Sequence, residues 1–293
     1  MTVPLTIAPA DTIRTALTVM TRAFDQAGLP SASVDARYLV QGILQCDAAA
    51  LLRDPDRVIG DDASRLSLAA RRRLGHEPVA RILGTRDFYG RRFRVTPGVL
   101  DPRPDTETLV DLVLDVIRSE KKFSEHVSIA DIGVGSGAII ATLLAEVPHA
   151  TGIATDISEA ALAVAAENAA ALGVANRLTL VKTSGLDGIT GAIDIVVSNP
   201  PYIASGDISG LDRDVALFDP HIALDGGADG LQIYRQIAGQ IKALGLPGWV
   251  CLEFGAGQLS AVEAIFSGIG ACCVHRRTDL GGNVRAVAMK MQH

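Results

Sequence analysis

The chain has 293 residues, 48% of them hydrophobic and 20% charged, which excludes a disordered chain and leaves room for two domains or one large one. No apolar run reaches the roughly 18 residues that span a bilayer, so no membrane partner is expected. The net charge of −6 is uneven: residues 1–100 carry 14 Arg, no Lys and 10 acidic residues, leaving 13 basic and 23 acidic residues for the remainder. That acidic remainder argues against a stable nucleic-acid partner. The basic first third either meets an acidic or RNA-bearing partner or holds arginines that solvate helix faces.

The N-terminus lacks a basic n-region and an apolar h-region, so no signal peptide is expected. Ile13, Ala16, Leu17, Met20, Ala23, Phe24 and Ala27 fall on one face of a helix over 11–27, stopped by Gly28 and Pro30. Ser33 is placed to cap a second helix with Tyr38, Leu39 and Ile43 inward. Short helical pieces follow near 48–53 and 62–74. Residues 1–84 read as a small helical domain.

From Arg86 the pattern changes to alternation. Phe88, Tyr89, Phe93 and Val95 suggest a β-hairpin with its turn around Gly90-Arg91, closed by Thr96-Pro97-Gly98. This makes 85–100 a hairpin linker. Leu100-Asp101-Pro102-Arg103-Pro104-Asp105-Thr106-Glu107 then leads into a helix through about 118. Such a stiff stretch is either a capped linker or a wall of a site.

Residues 101–293 read as one α/β domain. Strands are expected at 127–131, 151–155, 177–182, 193–198, 248–254, 271–277 and 284–290. Helices are expected at 137–146, 158–172, 229–245 and 258–268. This alternation predicts a doubly wound, mostly parallel sheet. The last two strands are joined only by Asp279-Leu280-Gly281-Gly282-Asn283, so they should form an antiparallel hairpin at one edge. Cys272 and Cys273, with His275 nearby, read as core strand residues rather than metal ligands. Together with Cys46 and Cys251 they form no Cys-x-x-Cys pair, as fits a reduced, cytoplasmic protein.

Two loops carry the chemistry. Asp131-Ile132-Gly133-Val134-Gly135-Ser136-Gly137 joins a strand to a helix. Its Gly-x-Gly-x-Gly spacing suits neither a dinucleotide pyrophosphate nor a P-loop. Asp131 would repel a phosphate but suits an ammonium group. Asp156, at the tip of the next strand, is placed to accept two hydrogen bonds from ribose hydroxyls, or else to stand as a helix N-terminal charge before Ser158. An adenosine derivative with free ribose hydroxyls, no phosphate and an amino group fits, as S-adenosylmethionine does. The second loop is Asn199-Pro200-Pro201-Tyr202. Its prolines stop a strand and hold Asn199 extended, forming a corner that could cradle a flat group bearing –NH2. Alone, it could equally be a strand-ending turn.

The chain resembles the HemK/PrmC family, the N5-glutamine methyltransferases of peptide-chain release factors. The residues carrying the resemblance are Glu77-Pro78, Val99 to Glu107, Asp131 to Gly137, Asp156-Ile157-Ser158 and Ser198 to Ile203. They continue with Phe218-Asp219-Pro220, Ala223 to Leu231, Leu252-Glu253-Phe254-Gly255 with Gln258, and Asp279-Leu280-Gly281. The Asn-Pro-Pro-Tyr corner is shared with adenine-N6 methyltransferases; the Pro-Arg-Pro linker and Gly-Gly-x-Asp-Gly-Leu segment are more specific. Departures are Asp at 105 and 219 where the family usually has Glu, Val134 where it often has Thr, and Ser184-Gly185 where it commonly has Asp and an aromatic or Leu beside the adenine.

The resemblance implies a class I S-adenosylmethionine-dependent methyltransferase fold with an N-terminal helical domain that contacts the substrate. It implies donor binding by Asp131, Gly133, Val134, Gly135, Ser136, Gly137, Asp156, Ile157, Ser184, Gly185 and Asn199, with no metal. It places the acceptor glutamine, from the Gly-Gly-Gln loop of a class-I release factor, on Asn199, Pro200, Pro201 and Tyr202. Of these, Asn199, Pro200 and Tyr202 are the catalytic group. Two other readings stand beside it: an adenine-N6 DNA or RNA methyltransferase, and a non-catalytic S-adenosylmethionine-binding protein.

Overall fold

The computed structural model describes residues 5–246, 248–279 and 281–292. The first helices are α1 (Ile13–Gln26), α2 (Ala32–Leu44), α3 (Ala48–Arg53), α4 (Ala63–Leu74) and α5 (Val79–Leu83). The hairpin strands β1 (Thr85–Phe88) and β2 (Arg91–Arg94) and the helix α6 (Glu107–Ser119) follow. Then come β3 (Val127–Ile132), α7 (Ala138–Glu146), β4 (Ala150–Asp156), α8 (Glu159–Ala171), β5 (Leu178–Lys182) and β6 (Ile195–Ser198). The chain ends with α9 (Arg213–Phe218), α10 (Gln232–Leu244), β7 (Trp249–Glu253), α11 (Leu259–Ser267), β8 (Ala271–Thr278) and β9 (Val284–Met291).

The chain divides into two compact units. The first comprises residues up to Thr85 together with Asp212–Phe218; the second holds the rest. In the first unit, Ile13, Ala16, Met20 and Phe24 of α1 pack with Leu39 and Val40 of α2 and Leu66 of α4. Arg73 is buried there, with ion pairs to Asp35 (2.7 Å) and to Asp214 of α9 (2.8 Å). No run of apolar periodicity announces α9, which is held by this charge pair. Two expectations are corrected. Helix α2 begins at Ala32 after the cap position Ser31, so Ser33 lies inside the first turn. Tyr38 is 49% exposed, because Ala36, Leu39 and Val40 already fill the buried stripe.

The second unit is built on a seven-stranded sheet of order β5-β4-β3-β6-β7-β9-β8. Strands β3 to β7 are parallel, and β9 runs antiparallel to β7 and β8, making the edge hairpin. Leu280, in its connection, lies outside the described residues. Both faces are covered, as a parallel sheet requires. Val127, Ile129, Ile195, Val197 and Cys251 face the core with α6 and α7, while Ala130, Ile132, Val196, Val250 and Leu252 face α10 and α11. Cys272 and Cys273 are both half-buried on the edge strand β8, with Cys273 packed against the rim of the core. The β1–β2 turn is Tyr89-Gly90, one residue earlier than expected, with both residues at positive φ (51° and 69°). That is the two-residue turn whose twist matches a hairpin. Among the described residues no helix is long and apolar enough to cross a membrane.

Candidate active site

The site lies where sheet order reverses. The chain passes from β3 to β4 on one side, while β6 and β7 lie on the other, so the loops after β3 and β6 leave the sheet side by side. The Ser198 hydroxyl donates to the Ile132 carbonyl at 2.7 Å and ties the two strand ends together. Between the loops is a cavity of about 220 Å³. Its lining includes Gly133, Gly135, Asp156, Ile157, Ser184, Gly185, Asn199 and Pro201. Gly98, Val99 and Leu100 of the linker complete one wall, and Ile222, Ala223, Asp225, Ile233 and Gln236 another.

The glycine loop takes its shape from β4. The N–H groups of Gly133 and Val134 both donate to the Thr155 carbonyl at 2.9 Å. Asp156 Oδ2 accepts from Gly135 N at 3.0 Å, and its Oδ1 accepts from Ser158 N at 2.9 Å. Ser158 itself caps α8, accepting from Ala161 N. Asp156 therefore braces the loop and sits at a helix start while lining the cavity. Gly133 and Gly135 hold positive φ (74° and 53°), and a Cβ on either would meet nothing within 4 Å. Their need for glycine is conformational. Gly137 differs: a Cβ there would stand 3.1 Å from the Ala165 Cβ, so its absence brings α7 close to α8.

Several candidate donor residues stand behind the cavity wall. Val134 is packed in the core with α7. Ser136 is buried, and its carbonyl accepts from Asn168 Nδ2 at 2.8 Å. Asp131 is buried, and burial pushes its pKa up to about 7, with Asp156 adding to the rise and the Ile140 backbone N–H opposing it. At the far end, Ser184 Oγ accepts from Gln236 Nε2 at 2.8 Å, and Gln240 Nε2 donates to the Ser184 carbonyl at 3.0 Å. Gly185, at φ 62°, leaves the space that the Gln240 side chain occupies.

The proline corner is held from outside by the glycine-rich segment 224–231. Ile203 N donates to Leu224 O at 3.1 Å, and Gly226 N donates to Ile203 O at 2.8 Å. A Cβ at Gly226 would stand 2.7 Å from the Pro201 carbonyl oxygen. Gln258 fastens the other side: its Nε2 donates to Tyr202 O (2.9 Å) while its Oε1 accepts from Gly255 N (2.9 Å). The Tyr202 ring packs against Gly255 and the core under α10 and α11 rather than lining the cavity. The side chain of Asn199 points its Nδ2 at the Thr106 hydroxyl, 3.2 Å away.

The cavity lining contains two carboxylates and no Lys or Arg. That polarity suits a cationic ligand and disfavours a phosphate. Among the described residues no group of three or more His, Cys, Asp or Glu is placed to hold a metal.

Residues 15–84 match the PrmC N-terminal domain family, and residues 105–211 match the methyltransferase small domain family. The chain is 43% identical to a release factor glutamine methyltransferase of Bradyrhizobium diazoefficiens over 268 residues, 90% of each chain. It is 43% identical to one of Cereibacter sphaeroides over 267 residues, 90% of this chain and 93% of that one. The chain belongs to the release factor glutamine methyltransferase family. Among solved structures, the hMettl16 catalytic domain matches with TM-score 0.58 and 15% identity, over 79% of this chain and 82% of that chain. A human methyltransferase 10 domain containing protein matches with TM-score 0.51 and 18% identity, over 70% and 90%. These two show the fold alone, that of a methyltransferase. The family's sequence signals account for the linker, both loops and segment 224–231. Gln236, Gln240 and Asn168 carry no such signal, since a polar residue on a helix face reads as solvated.

Proposed function

We propose that the protein transfers a methyl group from S-adenosylmethionine to the side-chain amide nitrogen of a glutamine in a class-I release factor. Membership of the family supports the acceptor. The observation that carries the chemistry is Asn199 on the wall of a cation-suited cavity that the glycine loop also lines. Bound S-adenosylmethionine supplies an electrophilic methyl on a sulfonium. Gly133 and Gly135 let backbone approach the donor, Asp156 accepts from its ribose hydroxyls, and the buried Asp131 supplies negative charge behind the loop for its ammonium.

A glutamine amide is a weak nucleophile because its lone pair is delocalised into the carbonyl. The Asn199 side-chain oxygen and the Pro200 carbonyl accept the two amide hydrogens. This aims the nitrogen and favours its pyramidal form as positive charge develops. Pro200 and Pro201 have no N–H to compete for those acceptors. Tyr202 stiffens the corner through its packing on Gly255. The helical unit supplies a second contact to the factor. Ser184, held by Gln236, offers the polar group for the adenine edge.

Mass spectrometry of a release factor incubated with enzyme and S-adenosylmethionine tests this. The Gly-Gly-Gln loop peptide should gain the mass of one CH2 on its glutamine. Modification of duplex DNA instead would overturn the reading.

A further inference from the structure

Strands β6 and β7 are parallel neighbours with Ser198 opposite Leu252. One residue further on, Asn199 leaves β6 as Glu253 ends β7. The sheet register alone thus sets a carboxyl beside the acceptor asparagine. Glu253 is 2% exposed, and its Oε2 is buried without a hydrogen-bond partner. Asn199 Nδ2 donates to the Thr106 hydroxyl at 3.2 Å, and both side chains lie against the carboxyl and favour its charged form. The charged and titratable groups facing it are Arg285 of β9, Asp105 of the linker, Tyr202 of the corner and Tyr234 of α10. Arg285 is committed to Asp279, donating to Oδ2 from Nη2 (2.9 Å) and Nε (3.1 Å). The carboxyl is thus left to the Thr106–Asn199 pair.

An asparagine side chain can present either end, since its oxygen and nitrogen ends have nearly the same size. Only hydrogen bonding decides between them. We propose that Glu253 is a positioning residue: as a carboxylate that only accepts, with the Thr106 hydroxyl, it holds Asn199 Nδ2 inward and so presents Asn199 Oδ1 to the substrate amide. This rests on the acceptor role given to Asn199 above. A protonated Glu253 becomes a donor, and the inward nitrogen loses its preference. Burial holds the Glu253 carboxyl high, at about 7, against the opposing pull of Thr106, Arg285 and Asn199. Turnover should therefore rise through neutral pH as Glu253 ionises.

The test is methyl transfer to release factor by wild type, Glu253→Gln, Thr106→Val and Asn199→Ala, from below to above neutral pH. Calorimetric binding of S-adenosylhomocysteine and a thermal melt check each protein. E253Q should lose roughly tenfold or more in kcat. It should also lose the neutral limb of the pH profile and keep product affinity. Thr106→Ser should restore what T106V loses. Wild-type kcat and pH limb in E253Q would overturn the inference. If E253Q does not fold, T106V carries the test, and a wild-type rate there overturns it equally. An active N199A removes the acceptor reading itself, whereas an inactive N199A with a normal E253Q removes only the role of Glu253.

Discussion

Gly230 lies against the carbonyl of Tyr202 so closely that a Cβ at Gly230 would stand 2.3 Å from that oxygen. Its φ of 72° adds a second requirement for glycine. The glycine-rich segment is therefore a backbone brace on the proline corner. Gly230→Ala should lose about 2 kcal/mol or more of stability from the left-handed conformation and the overlap together. Denaturant unfolding measures this, and the same variant should lose most methyl transfer because the corner must shift.

Asn199→Ala removes the side chain proposed above to accept from the substrate amide. Transfer should fall by roughly 10² to 10³, by analogy with loss of one oxyanion-hole donor. Affinity for S-adenosylhomocysteine, measured by calorimetry, should stay within a few-fold of wild type. Near-normal turnover would remove the role assigned to this residue.

Asp156 makes two backbone bonds through two different oxygens, to Gly135 and Ser158. Asp156→Asn keeps only one acceptor oxygen, so one of those bonds is lost along with the charge. Affinity for S-adenosylhomocysteine should fall about tenfold or more. Unchanged affinity would show that the loop holds its shape without the brace.

Asp131 makes stability depend on pH. Its carboxyl titrates near the ordinary Asp value when unfolded but at about 7 when folded. Between those values the folded state binds the extra proton, so stability is fully present at low pH and falls as pH rises toward 7. The slope contributed is about 1.4 kcal/mol per pH unit. Glu253, also raised to about 7, adds in the same direction. Asp131→Asn should flatten the dependence between about pH 4 and 7, as read by urea melts of ligand-free protein, leaving the share due to Glu253.

Arg103 of the Pro-Arg-Pro linker pairs with the Asp219 carboxylate at 2.5 Å, and that side chain is 0% exposed. Arg103→Ala should cost about 1.5–3 kcal/mol. Asp219→Asn in the R103A background should recover part of it, since the burial of a charge is then relieved. A double-mutant cycle by urea unfolding gives the coupling.

The strand–helix alternation was readable because buried parallel strands are short apolar runs and helices carry a different period. The glycine loop, Asp156 and the proline corner stood out because their backbone demands restrict residue type. Ser33 misled because two serines flank Ala32 and either could cap; the turn begins at Ser31. The expected start of α10 at 229 ran into Gly230, whose left-handed backbone delays the helix to Gln232. Segment 213–218 shows no apolar period, because a six-residue helix has too few turns to make one.

Local spacing thus carried the identity of the longer elements and the backbone demands of the two site loops, since both are properties of a few consecutive residues. Which side chains meet was decided elsewhere. Thr106, Asn199 and Glu253 are 93 and 54 residues apart along the chain, and only the pairing of β6 with β7 and the return of the linker bring them together. The burial that raises the Glu253 and Asp131 carboxyls is likewise a tertiary property. It depends on how much water the assembled layers exclude, which no stretch of sequence specifies by itself.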